Sequence, residues 1–204
     1  MSDTENRPLL PLADEPPAER RDAARNRVAL LEAARCLIAR DGVCAVTMDA
    51  VAARAGVGKG TVFRRFESRE GLMAALLDHT ETAWQAAVIS GPPPLGPGAP
   101  PLQRLLAFGR SRIDTTLQHA ELIRAAGAAR SGGIGAQSFA HLHVQHLLDV
   151  LEVGGDLPLL ATALMAPLEI PVLDQQVRRD RIEVERVVAA WEDLVARVVS
   201  GPGP

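Results

Sequence analysis

Residues 47–66, TMDAVAARAGVGKGTVFRRF, decide the fold. Thr47 stands where a hydroxyl can accept from the free N–H groups that open a helix. Met48, Val51, Ala52 and Ala55 then recur at helical spacing and form one apolar face. Gly56 stops that helix, because glycine enters the left-handed region at no steric cost. Val57 fills the inside of the turn. A second short helix starts near Gly58 and turns Val62 and Phe66 inward, four residues apart. Lys59, Thr61, Phe63, Arg64 and Arg65 remain for the outside. Two short helices joined by a glycine turn, the second with a cationic and hydroxylic outer face, match the geometry that enters a DNA major groove.

The flanks extend the pattern. Leu30, Leu31, Ala33, Ala34, Leu37 and Ile38 precede Asp41-Gly42, and Ser68-Arg69-Glu70 leads into Leu72 and Leu76. With Thr47, Ala55-Gly56-Val57, Gly58, Gly60-Thr61, Val62, Phe63 and Phe66, this arrangement over about residues 22–80 resembles the DNA-binding domain of TetR/AcrR-type transcriptional regulators. One position departs: the family usually has Tyr where Phe63 stands, and Phe63 lacks the hydroxyl that commonly binds a phosphate.

Charge is placed to match. The 204-residue chain has a formal net charge of −3, which taken alone argues against a nucleic-acid partner. Residues 18–78, however, hold 11 basic and 8 acidic side chains, whereas the remainder holds 11 and 17. The positive part coincides with the helix-turn-helix, as phosphate binding requires. Gly58 and Gly60 allow close approach to a backbone, and a helix start attracts anions. Thr47 and Lys59 are candidate phosphate contacts, and Thr61 and Arg64 candidate readers of base edges. Arg65 is either phosphate-directed or a solvated surface residue. The resemblance implies a further phosphate contact at Arg69.

The other segments read as helix throughout. Residues 1–19 are expected to form a flexible, proline-rich arm, and the resemblance implies a DNA-binding domain over residues 20–80 and an effector-binding and dimerisation domain over residues 81–200. Helices are expected at about 20–40, from Ser68 toward Val88, and at 102–118, 121–129, 139–153, 157–177 and 182–199. Gly132-Gly133 and Gly154-Gly155 serve as stops, and Asp156 as a cap. Pro167 and Pro171 should kink 157–177. Residues 91–101, GPPPLGPGAPP, break the helical pattern and are expected to be mobile and dispensable for folding. The fold is all-α, with about nine helices in two parts.

Other chemistries find little support. Gly56-Val57-Gly58-Lys59-Gly60-Thr61 lacks the spacing and preceding strand of a phosphate loop. Cys36 and Cys44 have no metal or disulfide pattern and should pack as small apolar residues. His143 and His146 share a helix face, but no cysteine and few carboxylates accompany them, so no metal site is assigned. No catalytic constellation stands out, so no enzyme and no cofactor is expected. Residues 157–173 are apolar but short and proline-broken for a membrane span. A cytoplasmic protein without membrane contact is expected.

The resemblance implies an effector pocket in the second part. Arg112, Asp114, Gln118, Arg124 and His143, isolated polar groups on apolar helices, are its candidate lining for a small apolar or amphipathic effector. It also implies pairing of the last two helices. Their apolar surplus agrees, with Leu164, Leu168, Val187, Trp191, Leu194 and Val198 as candidate interface residues. The function implied is a ligand-responsive repressor that binds a palindromic operator in double-stranded DNA as a homodimer. A helical interaction module of the same fold, without DNA regulation, is the alternative.

Overall fold

The computed structural model describes residues 18–127 and 139–201, with side chains from residue 25 onward. All regular structure among them is helical. Ten α-helices follow in order: α1 Ala18–Asp41, α2 Met48–Ala55, α3 Lys59–Phe66, α4 Arg69–Ser90, α5 Pro101–Gln118, α6 Ala120–Ala126, α7 Phe139–Val150, α8 Leu157–Met165, α9 Ile170–Leu173 and α10 Val184–Val199. The arm expected at 1–19 lies outside the described residues except for its last two, which begin α1. The Gly132-Gly133 stop and the last residues of the helix expected at 121–129 also lie outside them.

Side-chain caps set several helix starts. Thr47 Oγ1 accepts from Ala50 N at 3.1 Å, Ser68 Oγ from Gly71 N at 3.0 Å, and Asp156 Oδ1 from Leu159 N at 3.1 Å. Such caps contribute about 1 kcal/mol each. Gly56 closes α2 at φ 68°, ψ 30°, and its N–H reaches the carbonyls of Ala52 and Ala53.

The helices enclose two apolar cores. The first gathers Leu30, Leu37, Val51, Val62, Phe66 and Leu76 from α1–α4. It also takes Leu122 and Ala126 of α6, although α6 lies more than 40 residues beyond the helix-turn-helix. The second gathers Trp84, Phe108, Leu147, Leu164, Val188 and Trp191 from α4, α5, α7, α8 and α10. Helix α4 serves both: Leu72 to Leu77 face the first core, Trp84 and Val88 the second. At 22 residues it is about 33 Å long, enough to join the two bodies rigidly.

The structure corrects four expectations. Residues 157–177 bend at the two prolines as expected, but as separate segments rather than one helix. Helix α8 ends at Met165, a 3-10 turn spans Ala166–Leu168, α9 follows, and Asp174–Arg179 is a π-turn. The path bends by 41° at this break, because Pro167 and Pro171 each remove a backbone donor. Helix α7 stops at Val150, three residues early, and Glu152 then adopts φ 55°. Residues 91–101, expected to be mobile and dispensable, pack in part on the body: Leu95 lies against the second core, Gly96 is buried, and Gly96 N donates to Pro92 O at 2.9 Å. Cys44 is exposed on the 3-10 turn Val43–Ala45 rather than packed inside.

Candidate nucleic-acid interface and effector cavity

Helix α3 has two distinct sides. Val62 is fully buried and Phe66 is 5% exposed, which together contribute about 1.5–3 kcal/mol per side chain and fix the helix against the first core. On the other side Gly58, Lys59, Gly60, Arg64 and Arg65 are exposed, Phe63 is 40% exposed and Thr61 is half-buried. Arg64 Nη2 lies 3.5 Å from Thr61 Oγ1, so the two proposed base readers are neighbours. Lys59 Nζ sits 2.8 Å from Asp49 Oδ1 and 5.7 Å from the Phe63 ring centroid. Both partners of that ion pair are exposed, so it contributes at most about 1 kcal/mol and Lys59 can exchange Asp49 for a phosphate at little cost.

Arg69 has another task. Its Nε donates to Val46 O at 2.8 Å and its Nη2 to Val43 O at 2.9 Å. It therefore ties the start of α4 to the chain just before Thr47. The clamp uses two of the five guanidinium N–H donors, so the phosphate contact that the resemblance implies at Arg69 can coexist with it.

Helix α3 thus stands behind a glycine turn, packed on α2 and α4. Residues 30–76 match the family model described as bacterial regulatory proteins, tetR family. Solved structures extend the likeness to the rest of the chain. RolR in complex with resorcinol is 20% identical, with a TM-score of 0.60 over 90% of this chain and 97% of that one. A TetR-like transcriptional regulator from Rhodococcus sp. RHA1 is 23% identical, with a TM-score of 0.55 over 88% and 98%. A putative fatty acid metabolism regulator of Clostridium perfringens is 17% identical, with a TM-score of 0.51 over 86% and 99%. At these identities the likeness is one of fold. No curated protein matches the sequence. The chain thus shares the fold of these structures, with the segment that matches the tetR-family model followed by a helical second part.

Within that second part a cavity of about 570 Å³ lies among α4, α5, α6, α7 and α8. Arg112 lines it, 9% exposed, with Nη1 2.7 Å from Glu81 Oε2 and its guanidinium 4.8 Å from the Trp84 ring centroid. A buried charge this well partnered is held in one orientation and leaves further N–H groups for a ligand. Leu77, Ile123, Phe139 and Met165 supply apolar wall, and Asp78, Thr116, His141 and Glu169 add further polar groups.

The other four candidate lining residues lie elsewhere. Asp114 is exposed and lines neither large cavity. Gln118 lines a separate cavity near α1. Arg124 pairs with Asp174 at 2.9 Å beside a shallow hollow. His143 stands behind the wall, stacked on Phe139 at 5.8 Å and 5.3 Å from Phe108. Burial, with Arg104 and His146 adding repulsion, pushes its pKa down to about 4. Its Nε2 has no partner among the described residues. Sequence reading missed Glu81. The available signal was an acidic residue between Leu77 and Trp84 on the apolar stripe of α4.

The expected pairing surface changes as well. Leu164, Leu168, Val187 and Trp191 are 0%, 1%, 7% and 3% exposed within one chain, so they belong to its interior. Leu194 and Val198 are half-buried against the same core. Trp191 Nε1 donates to Leu164 O at 2.8 Å, which pins α10 to α8 from inside. The part of the apolar face of α10 that carries Val187 and Trp191 is covered by its own chain, where α5 and α8 pack on it.

Proposed function

We propose that this chain is a cytoplasmic, ligand-responsive transcriptional repressor, not an enzyme, which binds a palindromic DNA operator as a homodimer and is released by a small-molecule effector. The observation that carries the reading is the two-sided α3, with Val62 and Phe66 sealed inside and Lys59, Thr61, Phe63, Arg64 and Arg65 outside. Lys59 engages the phosphate backbone, and Thr61 and Arg64 read base edges. Thr47, Gly58 and Arg65 border the same surface. The cavity beside Arg112 and Glu81 takes the effector, which is small and apolar or amphipathic. The fold likeness to RolR, described with resorcinol bound, supports a small-molecule reading of that cavity.

Pairing brings two α3 helices roughly 34 Å apart, the spacing of successive major grooves. The exposed apolar residues left on the late helices support association there: Leu159 is 66% and Val172 37% exposed, and Ala189, Ala190 and Ala196 line the outer side of α10.

The test is selection of bound sequences from a random duplex pool by the full chain, with light scattering on the complex. An enriched palindrome bound by two chains supports the reading. An unenriched pool points instead to a helical interaction module without DNA regulation.

A further inference from the structure

The second large cavity, about 640 Å³, lies at the joint between the two cores rather than inside the second one. Its floor is apolar: Ile38 of α1, Val43 of the following turn, Leu76 of α4, Leu117 of α5 and Leu122 of α6. The chain crosses here from the second core back to the first. His119 closes α5 and opens α6, and α6 then inserts Leu122 and Ala126 into the core of the DNA-binding part. Thr80 and His119 line both this cavity and the one beside Arg112, so they partition the two.

The rim selects a ligand class. Arg35 is balanced by Glu32 at 3.5 Å and by Glu121 on the same rim. Burial lowers the pKa of His119, which leaves it neutral near pH 7. A charged guest would lose hydration without gaining an unpaired opposite charge. Gln118 and His119 offer neutral hydrogen-bonding groups above the apolar floor. The volume is that of a small-molecule pocket.

We propose that this cavity is a second small-molecule site, taking an uncharged, largely apolar compound with one hydrogen-bonding group. The occupant sits against Val43, whose carbonyl accepts from Arg69. It thereby bears on the clamp that fixes the chain before α2. That consequence for DNA rests on the repressor reading above; the binding itself does not.

The test uses N-phenyl-1-naphthylamine, a neutral apolar dye that brightens when sheltered from water, titrated into the full chain. Ala39 is exposed and lines only this cavity, as does Gln118, whereas Gln85 lines only the other. Ala39→Trp and Gln118→Trp fill this cavity from opposite sides, and Gln85→Trp fills the other. Circular dichroism selects the folded variants, and either of the first two suffices. The expected result is a class of dye sites weakened about tenfold or more by Ala39→Trp or Gln118→Trp and retained in Gln85→Trp. Absence of dye binding to the wild type, or dye binding lost only in Gln85→Trp, overturns the proposal.

Discussion

The Nε–H of Arg69 donates to the main-chain carbonyl of Val46 at 2.8 Å. With the second bond to Val43, it makes Arg69 a strut of the first core, tying α4 to the chain before α2. Arg69→Met leaves two acceptors without their partner, at a cost of about 1–3 kcal/mol. Thermal unfolding should show that loss. If the side chain acted only as a phosphate contact, stability would hold and only the salt dependence of DNA binding would change.

Gly109 on α5 lies against the Trp191 ring. A Cβ added there would come within 2.1 Å of the ring, which cannot retreat because its Nε1–H is held by Leu164 O. Gly109→Ala gains helix propensity but overpacks the second core, and should destabilise by about 1–3 kcal/mol. Urea unfolding measures it, and a neutral or stabilising effect would place Trp191 elsewhere.

His143 sets an acid sensitivity. Its folded pKa is pushed down to about 4 from the ordinary value of 6.5. Below pH 6.5 the unfolded chain takes up a proton that the folded chain refuses. The stabilising contribution is therefore complete above pH 6.5 and falls as pH drops toward 4, by at most about 1.4 kcal/mol per unit. His143→Gln should flatten the stability profile over that interval relative to wild type. Parallel profiles would contradict the burial of the ring.

Leu95 anchors residues 91–101 to the second core. Replacing these residues by a Gly/Ser linker of equal length should cost about 1–3 kcal/mol, chiefly from the lost burial of one leucine. An unchanged melting temperature would restore the detached linker that composition suggests.

These cases separate what the sequence made legible from what it did not. Thr47, Gly56, Ser68 and Asp156 act within a few residues of themselves, so caps and stops could be read directly. The two-sided α3 was legible for the same reason, since Val62 and Phe66 differ by one turn. Arg69 was not, because its acceptors lie 23 and 26 residues upstream. Nor was the Gly109–Trp191 contact, or the return of α6 to the first core, because composition carries no address for a distant partner. The late helices misled for a related reason: an apolar surplus on α10 looks alike whether α8 of the same chain or a second chain covers it. Burial of Val187 and Trp191 assigns those two residues to the former.

The central claim is that the outer side of α3 binds DNA. Its most direct test is fluorescence anisotropy of the selected duplex over a range of salt, for wild type, Lys59→Ala and Arg64→Ala. The account predicts that Lys59→Ala lowers the salt slope by about one and weakens all sequences alike. Arg64→Ala should cost about 1–3 kcal/mol and relax the preference at one base position. Affinity and slope unchanged in both variants would contradict the assignment of this surface to DNA.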